Sequence, residues 1–166
     1  MKLEQRAKKF ARLAHRNQVR KYTGEPYITH PEAVVALVRS VPHTEEMICA
    51  AWLHDTVEDT AATIEEVDEV FGWRVAALVE QLTDVSKLSD GNRAVRKALD
   101  REHTAKACAD AQTIKLADLI HNTISIVEFG KDFAPIYLKE KRLLLDVLVD
   151  GSPLLLERAV EQLNQA

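Results

Sequence analysis

Two imidazoles and two carboxylates, scattered along a chain of 166 residues, are the side chains best suited to chemistry: His30, the adjacent pair His54–Asp55, and Asp118. Glu58 and Asp59 follow the central pair at about one helical turn. In the stretch from Ala50 to Asp59 an apolar run ends abruptly in ionisable residues. Burying such groups beside a core is costly unless they are paired or ligate a metal. His30, His54, Asp55 and Asp118 together would offer a mixed imidazole and carboxylate site. That mixture suits Mn²⁺, Fe²⁺ or Zn²⁺, whereas an all-oxygen cage would suit Mg²⁺ or Ca²⁺ better. With coordination positions left open, an ion held there polarises a phosphoryl oxygen and generates hydroxide near neutral pH.

Each fragment alone has an ordinary explanation. A His-Asp dipeptide recurs by chance, His30 before a proline can cap a helix, and Asp118 can pair with Lys115 on its own helix. Asn122 can be a polar helix residue. The combination says more, because two separate apolar helices both interrupt their pattern with acids. On a continuous helix with His54 at zero, Asp55 falls at about 100°, Glu58 at about 40° and Asp59 at about 140°. One cleft could receive all four. Asp118, Asn122 and Ser125 stack along one narrow face of the other helix. His15, His43 and His103 read as surface or helix residues, and His121 as either packing or support for a metal shell.

These residues need helices to position them. Leu3, Ala7, Phe10, Ala11 and Ala14 define an apolar face that fades near Arg20, before a turn-rich loop from Tyr22 to Pro26. Pro31 suits a helix start, putting His30 at the hinge between loop and helix. Thr44 followed by Glu45 and Glu46 reads as a helix N-terminus, and the helix beyond is apolar nearly all round from Met47 to Leu53. Thr63 and Glu66 have capping-box spacing, opening a helix that stops at Gly72. Val75 to Leu82 is next, then a polar loop from Val85 to Asn92 and a basic helix from Arg93 to about Ala109. A second strongly apolar helix runs from Thr113 to Phe129, closed by Gly130. Two more, Pro135 to Val149 and Pro153 to Leu163, are split by Asp150-Gly151-Ser152. The expectation is one all-α bundle of about eight or nine helices forming a single domain over residues 1–166.

Composition narrows the function classes. Hydrophobic residues make up 46% and charged residues 29%, ordinary for a globular chain, and ten Gly plus Pro are too few for the turns of an all-β fold. A net charge of −4 argues against coating a nucleic-acid polymer. The basic islands from His15 to Lys21 and from Arg93 to Arg101 suit a compact phosphorylated ligand better, if they are more than solvated helix faces. No apolar stretch reaches the roughly 20 residues that cross a bilayer, and the N-terminus lacks a signal-peptide segment. Cys49 and Cys108 are expected to be buried free thiols in a reducing cytoplasm.

At these residues the chain resembles the HD superfamily of metal-dependent phosphohydrolases. More narrowly, it resembles the hydrolase domain of RelA/SpoT-type enzymes and the small alarmone hydrolases. The matching stretches are Arg20-Lys21 with Gly24 to Pro31, then Leu53 to Thr60 with His-Asp-x-x-Glu-Asp, then Lys115 to Asn122. The resemblance implies one Mn²⁺ on His30, His54, Asp55 and Asp118, with Glu58 and Asp59 orienting and deprotonating the attacking water. It implies hydrolysis of the 3′ pyrophosphate of guanosine 3′,5′-bis(diphosphate) and its pentaphosphate relative, giving GDP or GTP. Arg20 and Lys21 match the nucleotide-contacting basic pair, Asn122 the ribose contact, and Ser125 stands where Thr is common. Two departures bear on base and phosphate preference: the Arg20-to-His30 loop is a residue longer, and Thr123-Ile124 replaces Met-Arg. Alternatives are the same chemistry on an adenosine alarmone or NADPH, or a nucleotide-sensing module without turnover. Association of copies into a homo-oligomer is compatible with this sequence.

Overall fold

A computed structural model describes residues 1–166. Its helices are α1 (Leu3–Ala14), α2 (Thr29–Arg39), α3 (Glu45–Leu53), α4 (Thr56–Asp59), α5 (Ile64–Phe71), α6 (Trp73–Leu82), α7 (Arg93–Ala105), α8 (Ala109–Phe129), α9 (Ala134–Leu145) and α10 (Pro153–Gln165). Nine of them run eight residues or longer and α4 is a single turn, so the all-α expectation holds. There is no strand, only one isolated bridge between Val19 and Pro26.

The most apolar helix occupies the middle. Every residue of α3 from Met47 to Leu53 is buried. Each large apolar side chain so removed from water contributes about 1.5–3 kcal/mol before entropy is counted. Helices α1, α2, α6 and α8 pack around α3, while α9 and α10 cover the far side of α8. Caps fix where several helices begin. Thr44 accepts from the Met47 amide, Thr63 and Glu66 exchange reciprocal bonds, and the Ser152 hydroxyl accepts from the Leu155 amide.

Several boundaries differ from the sequence pattern, each for a local reason. Helix α1 stops at Ala14 instead of fading near Arg20, because residues 18–27 fold back as a tight loop. In that loop the Arg20 amide donates to Glu25 O at 2.8 Å and the Tyr27 amide to Gln18 O at 3.0 Å. Gly24 makes the reversal with φ of 72°, a conformation L side chains rarely adopt. His30 lies inside the first turn of α2, not at a hinge before it. The polar segment after α6 contains a 3₁₀ turn at Leu88–Asp90. Helix α7 ends at Ala105, and α8 begins at Ala109, a turn earlier than its apolar pattern. Cys49 is buried as expected, but Cys108, outside the N-terminus of α8, is exposed.

Candidate metal centre

The run His54–Asp59 is not one helix. Helix α3 ends at Leu53, His54 and Asp55 form the junction, and α4 starts at Thr56. Thr56 helps to fix the break, its hydroxyl donating to the Leu53 carbonyl at 2.6 Å. The angles of a continuous helix therefore do not apply, and the break itself turns the His54 and Asp55 side chains toward α2 and α8.

Four side chains from three places in the fold converge there. His54 Nε2 lies 3.2 Å from His30 Nε2 and 3.0 Å from Asp55 Oδ2. His30 Nε2 lies 3.4 Å from Asp55 Oδ2 and 3.1 Å from Asp118 Oδ1, and His54 Nε2 lies 3.8 Å from the same Asp118 oxygen. Donors bonded to one ion at about 2.1 Å stand about 3.0 Å apart in an octahedron and about 3.4 Å apart in a tetrahedron. The separations among His30, His54 and Asp55 fall near those edges and make these three a compact donor group, while Asp118 Oδ1 reaches both imidazoles from outside that group. Two imidazole nitrogens facing each other, buried, with a carboxylate oxygen beside each, are what a divalent cation needs, so the donor set fits one.

The surrounding groups hold these donors in orientation. His54 Nδ1 is 2.8 Å from the Ala51 carbonyl, which selects the tautomer with Nδ1 protonated and leaves the Nε2 lone pair facing the cluster. His30 Nδ1 meets His121 Nδ1 at 2.7 Å, and the two rings stack 5.0 Å apart. Burial, the neighbouring His30 and Arg20 push His121 down to about 4, so it stays neutral and can accept from His30. Of the two readings offered for His121, support is the one the geometry favours.

Asp118 answers both of its readings at once. Its Oδ2 pairs with Lys115 Nζ at 3.1 Å, while Oδ1 faces the histidines and accepts from Asn122 Nδ2 at 2.6 Å. Burial alone would raise the carboxyl, but Lys115 and the histidines outweigh it and hold Asp118 below the usual carboxylate range. Burial likewise opposes ionisation of Asp55, and the charge on His54 with bonds from both imidazoles pulls it well below. Burial works against the charge on His54 too, yet Asp55 and Asp118 together lift it to about 9.

Glu58 and Asp59 lie beside this cluster, exposed as whole residues but with their carboxyl groups partly withdrawn from water. Burial of the carboxyl, then Asp84, pushes Glu58 up to about 7, and its Oε2 accepts from the Asp84 amide at 3.1 Å. Asp59 is also raised, by burial and by Asp55. Tyr27, unassigned in the sequence reading, ties the two groups together. Its hydroxyl lies 2.7 Å from Asp55 Oδ2 and 3.1 Å from Asp59 Oδ2.

The remaining sequence candidates divide. Arg20 and Asn122 meet, Arg20 Nη2 donating to Asn122 Oδ1 at 2.7 Å, with the guanidinium 5.7 Å from the Tyr27 ring. Lys21 is exposed and lies over Tyr22, and Ser125 is buried, 3.4 Å from the Asn122 carbonyl. Neither contacts the cluster. His15, read as a surface or helix residue, caps α1 and is buried, its ring stacked on Tyr27 at 4.5 Å and bonded to Gln18 at 2.6 Å. A signal for Tyr27 was available: it precedes His30 by three residues at a helix entry, where both would face one way.

Imidazoles and carboxylates drawn from α2, the α3–α4 junction and α8 give an all-helical protein a candidate divalent-metal centre. The model of the HD domain family matches residues 7–132, and the chain belongs to that family. A Synechocystis protein named as a probable guanosine-3′,5′-bis(diphosphate) 3′-pyrophosphohydrolase is 43% identical over 116 residues, 68% of this chain and 15% of the relative. The Escherichia coli K12 bifunctional (p)ppGpp synthase/hydrolase SpoT is 36% identical over 147 residues, covering 87% of this chain and 20% of the relative. The zebrafish (Danio rerio) 3′-pyrophosphohydrolase MESH1 is 41% identical over 119 residues, 68% of this chain and 63% of MESH1. The chain thus spans a fifth or less of those two bacterial relatives. A solved structure described as a metazoan ortholog of SpoT that hydrolyzes ppGpp superposes with a TM-score of 0.89 at 29% identity, over 99% of this chain and 96% of that one.

Proposed function

We propose that residues 1–166 form one HD-type hydrolase domain. It acts in the cytoplasm, removing the 3′ pyrophosphate of guanosine 3′,5′-bis(diphosphate) and its pentaphosphate relative to give GDP or GTP, with Mn²⁺ as the ion. The observation that carries this reading is the convergence of His30, His54, Asp55 and Asp118 beside Asp59, with the Arg20–Asn122 pair near by. Relatives at 36–43% identity carry that activity in their names. No helix is long and apolar enough to cross a membrane.

His30, His54, Asp55 and Asp118 would hold the ion, which supplies positive charge against the phosphates and lowers the pKa of water. The chain's own groups do the rest. Asp59, oriented by the Tyr27 hydroxyl, takes the proton of the attacking water as its oxygen bonds to the 3′-linked phosphorus. The bond from that phosphorus to the ribose O3′ breaks, and the proton returns to O3′ from the Glu58–Asp59 pair. Glu58, pushed up to about 7 by burial and Asp84, is placed to hold a proton near neutral pH. Arg20 already uses one nitrogen on Asn122, and its remaining N–H groups are free to fork onto phosphate. Lys115 offsets the charge of Asp118 so that the carboxylates do not repel the incoming anion.

The test is a product assay on chelated protein with Mn²⁺ restored, offering the guanosine alarmones beside adenosine alarmones and NADPH. GDP or GTP with pyrophosphate is expected from the guanosine alarmones. Guanosine alarmones left intact, or bound tightly without pyrophosphate release, would end this reading.

A further inference from the structure

Arg93 and Lys97 border two cavities. One, about 260 Å³ and lined by polar and charged residues alone, includes Glu58 and Asp84. The other, about 490 Å³, lies between α7 and α9 and is lined by Arg93, Lys97, Arg101, Lys139 and Glu140 with the apolar Ile136 and Leu143. That volume lies in the range of small-molecule sites.

The charge balance of this groove is unusual for the chain that carries it. Four cations face one carboxylate in a protein of net charge −4. Glu140 is committed to Arg93, at 2.7 and 2.9 Å, and Lys97 leans away onto Asp84 at 2.9 Å. Arg101 and Lys139 have no ion-pair or side-chain hydrogen-bond partner, so an anion can meet these two without displacing a bond of theirs, and only Lys97 would have to leave one. Ile136 and Leu143 are 51% and 40% exposed, an apolar rim beside the cations. A ligand that fits carries phosphate charge at one end and a flat or apolar body at the other.

We propose that the α7/α9 groove is a second binding site, taking the phosphates of a nucleotide on Arg101 and Lys139 and its base on Ile136 and Leu143, and that filling it slows the metal site. The link is Lys97. Its ammonium pairs with the Asp84 carboxylate, and the Asp84 amide donates to Glu58 Oε2 at 3.1 Å. Phosphate in the groove competes for Lys97, releasing Asp84 and with it the placement of Glu58. The binding half stands on the groove alone; the regulatory half rests on the function proposed above.

ATP serves as the probe, titrated calorimetrically into chelated full-length chain. The expected result is a component of ATP binding that Arg101→Glu/Lys139→Glu weakens at least tenfold and Arg20→Ala leaves in place, with Arg101→Gln/Lys139→Gln intermediate. Both residues of the double variant are at least partly exposed and unpaired, and circular dichroism checks that it folds. ATP binding that is absent, or unchanged in the double variant, overturns the site. In the Mn²⁺ enzyme, saturating ATP should lower kcat for guanosine alarmone in the wild type and not in the double variant; an unchanged wild-type kcat overturns the coupling. If the alarmone is not hydrolysed by any variant, the proposed function has failed while the ATP titration still decides the groove.

Discussion

Tyr27 shares one hydroxyl between Asp55, which faces the histidines, and Asp59, the proposed base. Substituting Phe keeps the ring on His15 and removes only that bridge. Tyr27→Phe should therefore weaken metal affinity and turnover together, by about 10–100-fold, the usual cost of losing a group that orients a ligand. Asp59→Asn should keep the ion and lose about 10²–10⁴ in rate, while Asp55→Ala loses both. Metal titration beside initial rates separates the three; equal behaviour of Asp59→Asn and Asp55→Ala would contradict the division of roles. At this scale the proposed ligands His54, Asp55 and Asp118 stood out because two apolar helices break their own pattern there. Tyr27 stood out less, since a tyrosine in a loop carries no such conflict and its one signal was the three-residue spacing to His30. Lys115 was read only as a rival for Asp118, whereas a carboxylate has two oxygens and serves both partners.

Helices were easier to read than the break between two of them. Periodicity and caps locate α5, α6 and α10 closely, but nothing in His54–Asp55 resembles a glycine or proline stop, so α3 and α4 read as one. The join of α8 to α10 is tighter than its sequence suggests. A Cβ on Gly151 would sit 2.8 Å from Leu116 Cδ1, 3.1 Å from the Gln112 carbonyl carbon and 3.2 Å from the Thr113 amide. Backbone atoms cannot retreat as a side chain can. Gly151→Ala should cost about 1–3 kcal/mol, a drop of several degrees in Tm; an unchanged melting curve would show that the loop yields. Lys141 crosses the same elements, fully buried, bonding Thr123 on α8 at 2.9 Å and Gln162 on α10 at 2.8 Å. Burial pushes its amine from 10.5 down to about 8. Between those values the unfolded chain holds a proton that the folded chain has released, so this group makes stability rise with pH across that window and adds no slope below it. The slope is at most about 1.4 kcal/mol per pH unit. Denaturant unfolding from pH 7.5 to 10.5 should show Lys141→Met lacking that component of the wild-type slope; parallel curves would mean the amine does not titrate there.

How the helices meet was the least legible level, since periodicity marks an apolar face without naming its partner. Only α3, apolar all round, announced its place at the centre. The site depends on this assembly: His30 on α2, His54 and Asp55 after α3, and Asp118 on α8 are brought together by packing and dispersed when the chain unfolds. An ion bound to the assembled ligands and not to the separated ones must stabilise the folded state, by RT ln(1 + [L]/Kd), about 2.7 kcal/mol at a hundredfold excess over Kd. For a chain of this size each kcal/mol moves Tm by about 2–4 °C, so restoring Mn²⁺ to chelated protein should raise Tm by roughly 5–10 °C. Asp55→Ala, lacking a ligand whose Oδ2 sits 3.0 Å from His54 and 3.4 Å from His30, should melt at the same temperature with or without the ion. Thermal unfolding across a Mn²⁺ series reads both. A wild-type Tm indifferent to the metal would mean that these four side chains meet to satisfy one another, as buried ion pairs, and not to hold a cation.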